Sequence, residues 1–307
     1  MVGTVIQRHL SSETQDRTGH IPDGPNHQGD LEMNTDLQLC YEQLGFEEPP
    51  FRITPDTDYF FPSQHHQEAL DHLRFGIASG GLTMLTGEVG VGKTLLCRYL
   101  LRHPPEGVRF AYLLNPDQSY ADLLTSIYQD LTGDVPEDRS IGGLQRLLPN
   151  VLLKLAESGE RVAVIVDEAH RLSAKVLEGL RLLSNLDTEK EKLMCLLFVG
   201  QPELERTLSS RLLRPLSQRI SVRFRLMPFE WHDTMQYIQH RLHIAGRNAR
   251  LQFPHRAMML THYISGGVPR RINQLCDRAL LAAYAGRRFD VNSWMLWRAK
   301  REIAGLN

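Results

Sequence analysis

The sequence has few cysteines, no long apolar stretch and almost no net charge. Its four cysteines are far apart and form no C-x-x-C pair, which argues against a zinc site and against a disulfide framework. Such usage fits the reduced thiols of a cytosolic protein. The longest apolar stretch lies near residues 193–199 (LMCLLFV), far below the roughly 18 residues that cross a bilayer. The N-terminus lacks the charged start and the apolar core that are typical of a signal peptide.

The formal net charge of −1 conceals an asymmetry along the chain. Residues 1–240 carry 23 Lys and Arg against 33 Asp and Glu, a balance of −10. Residues 241–307 carry 12 against 3, a balance of +9. This basic end can face phosphate or an acidic neighbouring surface, or it can be a solvated, internally paired face.

Three regions follow from composition and periodicity. Residues 1–36 are polar and rich in Gly and Pro, which predicts a disordered N-terminal tail. Residues 37–227 alternate helical patterns with short apolar runs, which predicts an α/β domain with a parallel sheet. The predicted strands are 81–86, 108–115, 161–166, 192–199 and 221–226. Residues 228–307 read as four helices separated by Gly or Pro, a small all-helical domain.

The stretch GEVGVGKT, residues 87–94, matches the phosphate-loop pattern G-x-x-x-x-G-K-[ST]. It follows a predicted strand and opens a helix, where the helix N-terminus favours anions. Lys93 is expected to reach the β- and γ-phosphates, and Thr94 to offer a hydroxyl to Mg²⁺. The pattern therefore predicts ATP with Mg²⁺ as cofactors, against the alternative of a Gly-rich strand–helix turn. The predicted nucleotide-binding residues are Gly87, Glu88, Val89, Gly90, Val91, Gly92, Lys93, Thr94 and Leu95.

The stretch VAVIVDEAHRL, residues 162–172, contains the letters DEAH of a class of helicases. In a phosphate-loop NTPase a second buried strand ends in an acidic residue that holds Mg²⁺, a role that fits Asp167. Glu168 follows and is suited to activate the attacking water as general base. A helicase needs a second sheet domain, whereas the region after Pro228 reads as helices. His170 can relay the nucleotide state or simply be polar surface.

Polar side chains at three later positions complete the predicted site. Gln201 follows the predicted strand 192–199, where its side chain can touch the γ-phosphate or the attacking water. Arg211, Arg214 and Arg219 precede the last strand, and Arg270 starts a helix of the C-terminal region. Two separated arginine positions suit a nucleotide site that is shared between subunits, since both can stabilise transition-state charge.

With these motifs the chain resembles the AAA+ ATPases, and within them the secretion-type family of general secretion pathway protein A (ExeA). The resemblance runs from about Tyr41 to about Gly305. The segments that carry it are YEQLGFEEPPFRITPDTDYFF, LTGEVGVGKTLLCR, VDEAHRL, LRLLSNLDTEKEKL, FVGQPEL, LSQRI, YIQHRLHIAG and GGVPRRINQLCDRALLAAYAG.

The resemblance implies an α/β P-loop NTPase (AAA+) fold with a five-stranded parallel sheet in the order 5-1-4-3-2, followed by a small all-helical lid domain. It implies that Gln201 is sensor 1, Arg270 sensor 2 and Arg219 the arginine finger, with Arg214 as a rival for the finger. Asn115 resembles the residue that holds the catalytic Glu in an inactive pose. The aromatic loop TPDTDYFF either wraps the adenine or packs the N-terminal helix on the core.

The resemblance also implies a function: an ATPase that assembles with ATP into a ring, expected as a hexamer. Such a ring would support assembly of a type IV (MSHA-like) pilus or a type II-like secretion machine. ExeA proteins continue into a membrane span, whereas this chain is expected to be the shorter MshM type, cytoplasmic and without direct membrane insertion. It would meet inner-membrane pilus or secretion proteins as partners. The main alternative is a DNA-binding regulator of the transposition (TnsC/TniB) type; a non-catalytic scaffold and a small-molecule kinase fit less well.

Overall fold

The computed structural model describes residues 38–114, 119–186, 192–246 and 250–305. Backbone contacts divide these residues into two units. The first unit comprises the ranges 64–89 and 93–227, and the second comprises 38–63, 90–92 and the range from 228 onward. The predicted N-terminal tail, residues 1–36, lies outside the described residues, and so does Asn115.

The first unit is built on a five-stranded parallel sheet. Its strands are β1 (Gly81–Gly87), β2 (Val108–Leu113), β3 (Arg161–Val166), β4 (Met194–Gly200) and β5 (Ile220–Leu226). Their spatial order is β2-β3-β4-β1-β5, and every neighbouring pair is parallel. The predicted strand order 5-1-4-3-2 is therefore confirmed.

Strand position in the sheet explains the sequence patterns. The central strands β1 and β4 are buried at every residue, as expected for strands covered on both faces. The edge strand β5 instead alternates between buried and exposed positions along most of its length. The apolar runs that predicted the inner strands are thus a direct consequence of helices packed on both sides of the sheet.

Helices of the first unit cover the sheet, and three of them begin at a serine whose side chain caps the helix. Ser119 accepts a hydrogen bond from the Asp122 N–H, and the Asp122 carboxylate accepts one from the Ser119 N–H, which starts the third helix. Ser173 caps the fifth helix through the Val176 N–H. The helices are α1 (Gln64–Ser79), α2 (Lys93–Arg102), α3 (Tyr120–Thr132), α4 (Ile141–Glu157), α5 (Ala174–Leu183), α6 (Glu203–Leu208) and α7 (Arg214–Arg219), with single 3₁₀ turns at Ala169–Arg171 and Arg211–Leu213.

The second unit contains the four helices that the sequence predicted after Pro228. They are α8 (Trp231–Ala245), α9 (His255–Ser265), α10 (Pro269–Ala285) and α11 (Ser293–Ile303). A 3₁₀ turn, Thr57–Tyr59, belongs to the same unit. Among the described residues, none of the helices combines the length and the apolar character needed to cross a bilayer.

Residues 38–63 belong to the second unit, which corrects part of the predicted domain division. The sequence analysis placed residues 37–227 together in the α/β domain. In the structure Tyr41, Phe46, Phe51 and Tyr59 are buried in the apolar core that the helices after Pro228 build. Burial of these four aromatic rings decides the grouping, since each removes a large apolar area from water.

A buried arginine holds the segment before α1 against the helices of the second unit. Arg241 is 4% exposed and donates to the Pro50 carbonyl oxygen at 2.6 Å, the Tyr237 hydroxyl at 2.8 Å and the Arg52 carbonyl oxygen at 3.3 Å. Its guanidinium carbon lies 4.5 Å from the centre of the Tyr59 ring. The charge is therefore surrounded by acceptors and an aromatic face.

Candidate nucleotide site

The predicted phosphate loop lies between β1 and α2, as the motif requires. Strand β1 ends at Gly87 and α2 begins at Lys93. Lys93 is only 6% exposed, and its Nζ donates to the carbonyl oxygens of Gly87 at 2.7 Å and Glu88 at 2.9 Å. The ammonium group thus lies against the backbone of its own loop, in the concave turn where phosphate oxygens would be expected.

Burial changes the acid–base balance of Lys93. Desolvation lowers the pKa of the Lys93 ammonium, while the nearby carboxylates of Glu168 and Asp167 act in the opposite direction. A buried cation held by two neutral carbonyl groups is incompletely compensated. An anionic ligand such as a phosphate group would compensate it more strongly than the loop itself does.

Asp167 follows β3 directly and is fully buried. Its Oδ2 accepts hydrogen bonds from the Thr94 hydroxyl at 2.8 Å and the Tyr112 hydroxyl at 3.0 Å, and its Oδ1 accepts one from the Glu168 N–H at 2.9 Å. The structure therefore joins the two predicted Mg²⁺ ligands, Thr94 and Asp167.

Tyr112 is a site residue that the sequence analysis missed. It lies on the buried strand β2, and burial raises the pKa of its phenol well above the usual value, with the Asp167 charge adding to the effect. The phenol therefore stays protonated and donates to the carboxylate. The available signal was a hydroxyl-bearing side chain near the end of a strand that the sheet order places beside β3.

Glu168 has an unusual backbone conformation. Its φ is 53°, in the left-handed region, and its side chain is 35% exposed. Such a conformation costs about 1–3 kcal/mol in a residue other than glycine and is found most often at functional sites. Glu168 lies between the end of β3 and the 3₁₀ turn Ala169–Arg171.

His170 connects Glu168 to the end of β4. The backbone N–H of Gln201, the first residue after β4, donates to His170 Nδ1 at 3.4 Å. His170 Nε2 lies 3.5 Å from Glu168 Oε2. The structure thus brings the two predicted polar residues, Glu168 and Gln201, to opposite sides of one imidazole ring.

Arg219 ends α7 and is exposed. Its guanidinium donates to the side-chain oxygen of Asn185. Arg214, the rival for the finger role, is also exposed, at the start of α7. Among the described contacts, none joins Arg219 to Lys93 or Glu168, so within this chain it does not reach the residues around Asp167.

Arg270 belongs to the second unit, where its surroundings involve the glycines of the predicted phosphate loop. The Arg270 backbone N–H donates to the Gly90 carbonyl oxygen at 3.1 Å. Gly90 has a φ of 83°, and a Cβ at this position would lie 2.7 Å from Arg270 Cβ. Phosphate binding is therefore not the sole reason for glycine at position 90. Its positive φ and its close contact with Arg270 both disfavour a side chain.

The aromatic loop packs within the second unit. Tyr59 and Phe60 are buried, and the ring centre of Phe61 lies 5.7 Å from that of Phe229 and 6.0 Å from that of Tyr237. Of the two interpretations of this loop, these contacts favour packing on the core. Adenine binding by the loop stays a prediction.

The donor set around Asp167 fits Mg²⁺. A hydroxyl oxygen and a carboxylate oxygen are hard ligands, and Mg²⁺ is usually held by one or two protein oxygens together with phosphates and water. Within the described ranges, no group of three or more His, Cys, Asp or Glu side chains could hold a metal ion. The chain thus offers the partial coordination that is typical of a cation shared with a nucleotide.

Comparison with known proteins identifies the fold. Residues 77–208 match the model of an AAA domain. The structure is similar to the ADP form of the ORC2 protein of Aeropyrum pernix, with a TM-score of 0.63 and 18% identity over 84% of this chain and 73% of that one. It is also similar to Cdc6p of Pyrobaculum aerophilum, with a TM-score of 0.62 and 18% identity over 81% and 71% of the two chains. The chain has the AAA+ P-loop NTPase fold.

Beyond the AAA+ fold, one relative is similar in sequence over most of this chain. General secretion pathway protein A of Aeromonas hydrophila is 41% identical over 264 residues, which cover 86% of this chain and 48% of that protein. This chain therefore spans about half the length of that relative. The similarity supports the sequence-based resemblance to secretion-type AAA+ ATPases; it does not distinguish the MshM type within them.

Proposed function

We propose that this chain is a Mg²⁺-dependent ATPase. The observation that carries the proposal is the Thr94 hydroxyl hydrogen-bonded at 2.8 Å to the buried Asp167 carboxylate, next to the buried ammonium of Lys93. A nucleoside triphosphate with its cation requires a hydroxyl, a carboxylate and an ammonium group. Thr94 and Lys93 after β1 and Asp167 after β3 provide them. The AAA-domain match over residues 77–208 supports the same activity.

The phosphate loop would hold the nucleotide. Lys93 would exchange its loop carbonyls for the β- and γ-phosphate oxygens, while the backbone N–H groups of residues 87–95 cradle the phosphates. Thr94 and Asp167 would hold Mg²⁺, which when bound neutralises the charge that develops on the phosphate oxygens. Tyr112 would keep the Asp167 carboxylate oriented through its hydrogen bond.

Glu168 is the proposed general base. Its carboxylate is partly exposed, so a water molecule can approach it, and its position directly after Asp167 places it beside the proposed cation site. Gln201 at the end of β4 would contact the γ-phosphate, and Arg270 would stabilise transition-state charge. Asn115 keeps its proposed role as the partner of Glu168 in an inactive pose.

The exposed Arg219 fits a site that is shared between copies of the chain. An arginine that does not reach its own nucleotide residues can reach those of a neighbour, and removing such a finger costs about 10³–10⁵ in turnover. We propose a ring, a hexamer by resemblance, in which Arg219 supplies this charge. Inactive Arg219→Ala subunits should then regain turnover when mixed with inactive Lys93→Ala subunits, whereas no regain would point to Arg214 or to action within one chain.

The proposed biological role rests on the similarity to general secretion pathway protein A. We propose that ATP turnover by this chain supports assembly of a type II-like secretion machine or of a related type IV (MSHA-like) pilus. Its partners would be the inner-membrane proteins of that machine, met from the cytoplasmic side.

DNA binding is a second candidate, favoured by one observation. Residues 241–307 have a balance of +9, and α11 exposes Trp294 and Trp297 with Arg298 and Lys300 placed over their rings. Cations beside exposed aromatic rings suit phosphates and bases. A DNA-dependent regulator of the transposition type would use this surface.

Steady-state ATP turnover of the full chain tests both candidates. The rate is measured with Mg²⁺, after chelation of Mg²⁺, and with double-stranded DNA at two salt concentrations. The ATPase proposal predicts turnover that chelation abolishes, and a chain without turnover would contradict it. A rate that is indifferent to DNA supports the secretion or pilus role, whereas strong stimulation that fades at high salt would favour the DNA-binding role.

A further inference from the structure

His170 has no role in the catalytic scheme proposed above. His170 lies in the 3₁₀ turn Ala169–Arg171, two residues after Glu168, and its side chain is only 14% exposed. A nearly buried imidazole needs partners for its ring nitrogens. Both nitrogens have a partner, and both partners belong to the proposed site.

The two contacts define the proton position on the ring. The Gln201 N–H can only donate, so His170 Nδ1 at 3.4 Å must accept. A neutral imidazole that accepts at Nδ1 carries its hydrogen on Nε2. That nitrogen lies 3.5 Å from Glu168 Oε2, so the ring has a donor beside the carboxylate. Hydrogen bonds at catalytic sites are often this long without substrate and shorten when substrate binds.

The backbone around His170 is held tightly against the end of β4. A Cβ at Gly200, the last residue of β4, would lie 3.2 Å from the His170 backbone nitrogen. The missing side chain at Gly200 lets strand and turn approach closely. The ring therefore links two segments that are already in contact.

Glu168 depends on a partner of this kind. Its backbone is in the left-handed region, with φ at 53°, and its side chain makes no capping hydrogen bond to the 3₁₀ turn that follows. The local backbone therefore leaves the direction of the carboxylate to its neighbours. His170 Nε2, which lies 3.5 Å from Glu168 Oε2, can be such a neighbour.

We propose that His170 is a positioning residue that couples the end of β4 to the general base. It ties the Glu168 carboxylate to the backbone of Gln201, so that contact of the Gln201 side chain with a γ-phosphate also orients the base. A nucleotide without a γ-phosphate would leave the base unaligned. This inference rests on the proposed ATPase function and adds a regulation to it: water activation is conditional on the phosphate that is to be cleaved.

The coupling affects turnover rather than nucleotide binding. The ring nitrogens of His170 contact Gln201 and Glu168 rather than the phosphate-loop residues Lys93 and Thr94, so the coupling predicts unchanged ATP affinity. Loss of a residue that orients a catalytic group typically costs about 10–100-fold in activity. The expected signature is a fall in kcat of that size with an unchanged dissociation constant for a non-hydrolysable ATP analogue.

Two variants of His170 remove the two ring-nitrogen contacts one at a time. In His170→Asn the side-chain oxygen can replace Nδ1 as acceptor for Gln201, but the side chain is too short to reach Glu168. In His170→Gln the side chain can reach Glu168, but no acceptor remains at the Nδ1 position. His103→Asn serves as control, because the Nδ1 of His103 also contacts a backbone atom, the Tyr99 oxygen at 3.1 Å, and this exposed residue follows directly after α2, outside the proposed site.

The measurements are kcat, analogue affinity and melting temperature for the wild-type chain and the three variants. The coupling predicts that both His170 variants lose about 10–100-fold in kcat with affinity within about twofold, while the control matches wild type. Wild-type kcat in either His170 variant would overturn it, as would loss of analogue binding together with a lowered melting temperature. Absence of turnover in the wild-type chain itself would overturn the proposed function and this inference together.

Discussion

Among the described residues, each unit contains one buried Lys or Arg side chain, and the two are held differently. Arg241 in the second unit has three oxygen acceptors and lies over the Tyr59 ring. Lys93 in the first unit has only two carbonyl oxygens of its own loop, and burial lowers the pKa of its ammonium. Both side chains are nearly inaccessible, at 4% and 6% exposed.

The difference separates a structural charge from a functional one. The guanidinium of Arg241 is satisfied by partners that come from the chain itself, so it contributes to stability without any ligand. The Lys93 ammonium donates to only two oxygens, and its burial outweighs the nearby carboxylates in lowering its pKa, as we expect for a charge that serves the proposed nucleotide binding. Burial alone does not tell the two apart; the number and type of partners do.

The largest expected effect is the loss of nucleotide binding in Lys93→Met. Methionine keeps most of the side-chain volume but removes the charge. We expect affinity for ATP to fall about 100-fold or more, since removing one partner of a buried charge contact costs about 2–5 kcal/mol. The free energy of unfolding should change by less than about 1 kcal/mol, because the lost hydrogen bonds are offset by relief of the buried charge. Titration calorimetry and denaturant unfolding measure the two quantities, and ATP affinity equal to wild type would contradict the assignment of Lys93.

Arg241→Met should show the reverse pattern in the second unit. It leaves the Pro50 carbonyl oxygen and the Tyr237 hydroxyl without their Arg241 donor, while the Arg52 carbonyl oxygen keeps the one from Asn273. We expect the free energy of unfolding to fall by about 3 kcal/mol. Arg241→Lys keeps the charge without the planar fork and should lose roughly half as much. If denaturant midpoints of both variants equal wild type, Arg241 is not the structural charge that its contacts indicate.

Two neighbouring glycines of the second unit separate backbone strain from steric contact. Gly266 and Gly267 both have positive φ, at 64° and 73°. A Cβ at Gly267 would lie 2.1 Å from the Phe229 carbonyl oxygen, whereas one at Gly266 would meet nothing within 4 Å. We expect Gly267→Ala to cost about 3 kcal/mol and Gly266→Ala about 1 kcal/mol, the latter from backbone strain alone. Equal melting temperatures for the two variants would contradict this assignment of the contact.

The sheet was predictable because burial leaves a mark on the sequence. Strands such as β3 are covered on both faces and therefore read as unbroken apolar runs. The phosphate loop and Asp167 were predictable because their chemistry requires particular residue types at particular spacings. The order of the strands came from resemblance, since no local pattern encodes which buried strands become neighbours.

Other features depend on long-range contacts that a sequence pattern does not contain. Tyr112 reaches Asp167 only because β2 pairs with β3, and His170 reaches Gln201 only because the turn after β3 packs on the end of β4. The aromatic residues before α1 were assigned to the wrong unit, since apolar side chains alone do not show which core they join. In each case the missing information is a tertiary neighbour.

Glu168→Gln tests the central claim of a Mg²⁺-dependent ATPase most directly. Glutamine keeps the size of the side chain but accepts no proton, and loss of a general base typically costs about 10²–10⁴ in rate. ATP affinity and steady-state turnover are measured side by side on this variant and the wild-type chain. If Glu168 is the general base, the variant binds ATP within about threefold of wild type and its turnover falls about 100-fold or more. Turnover equal to wild type would show that Glu168 is not the base and would contradict the site described above.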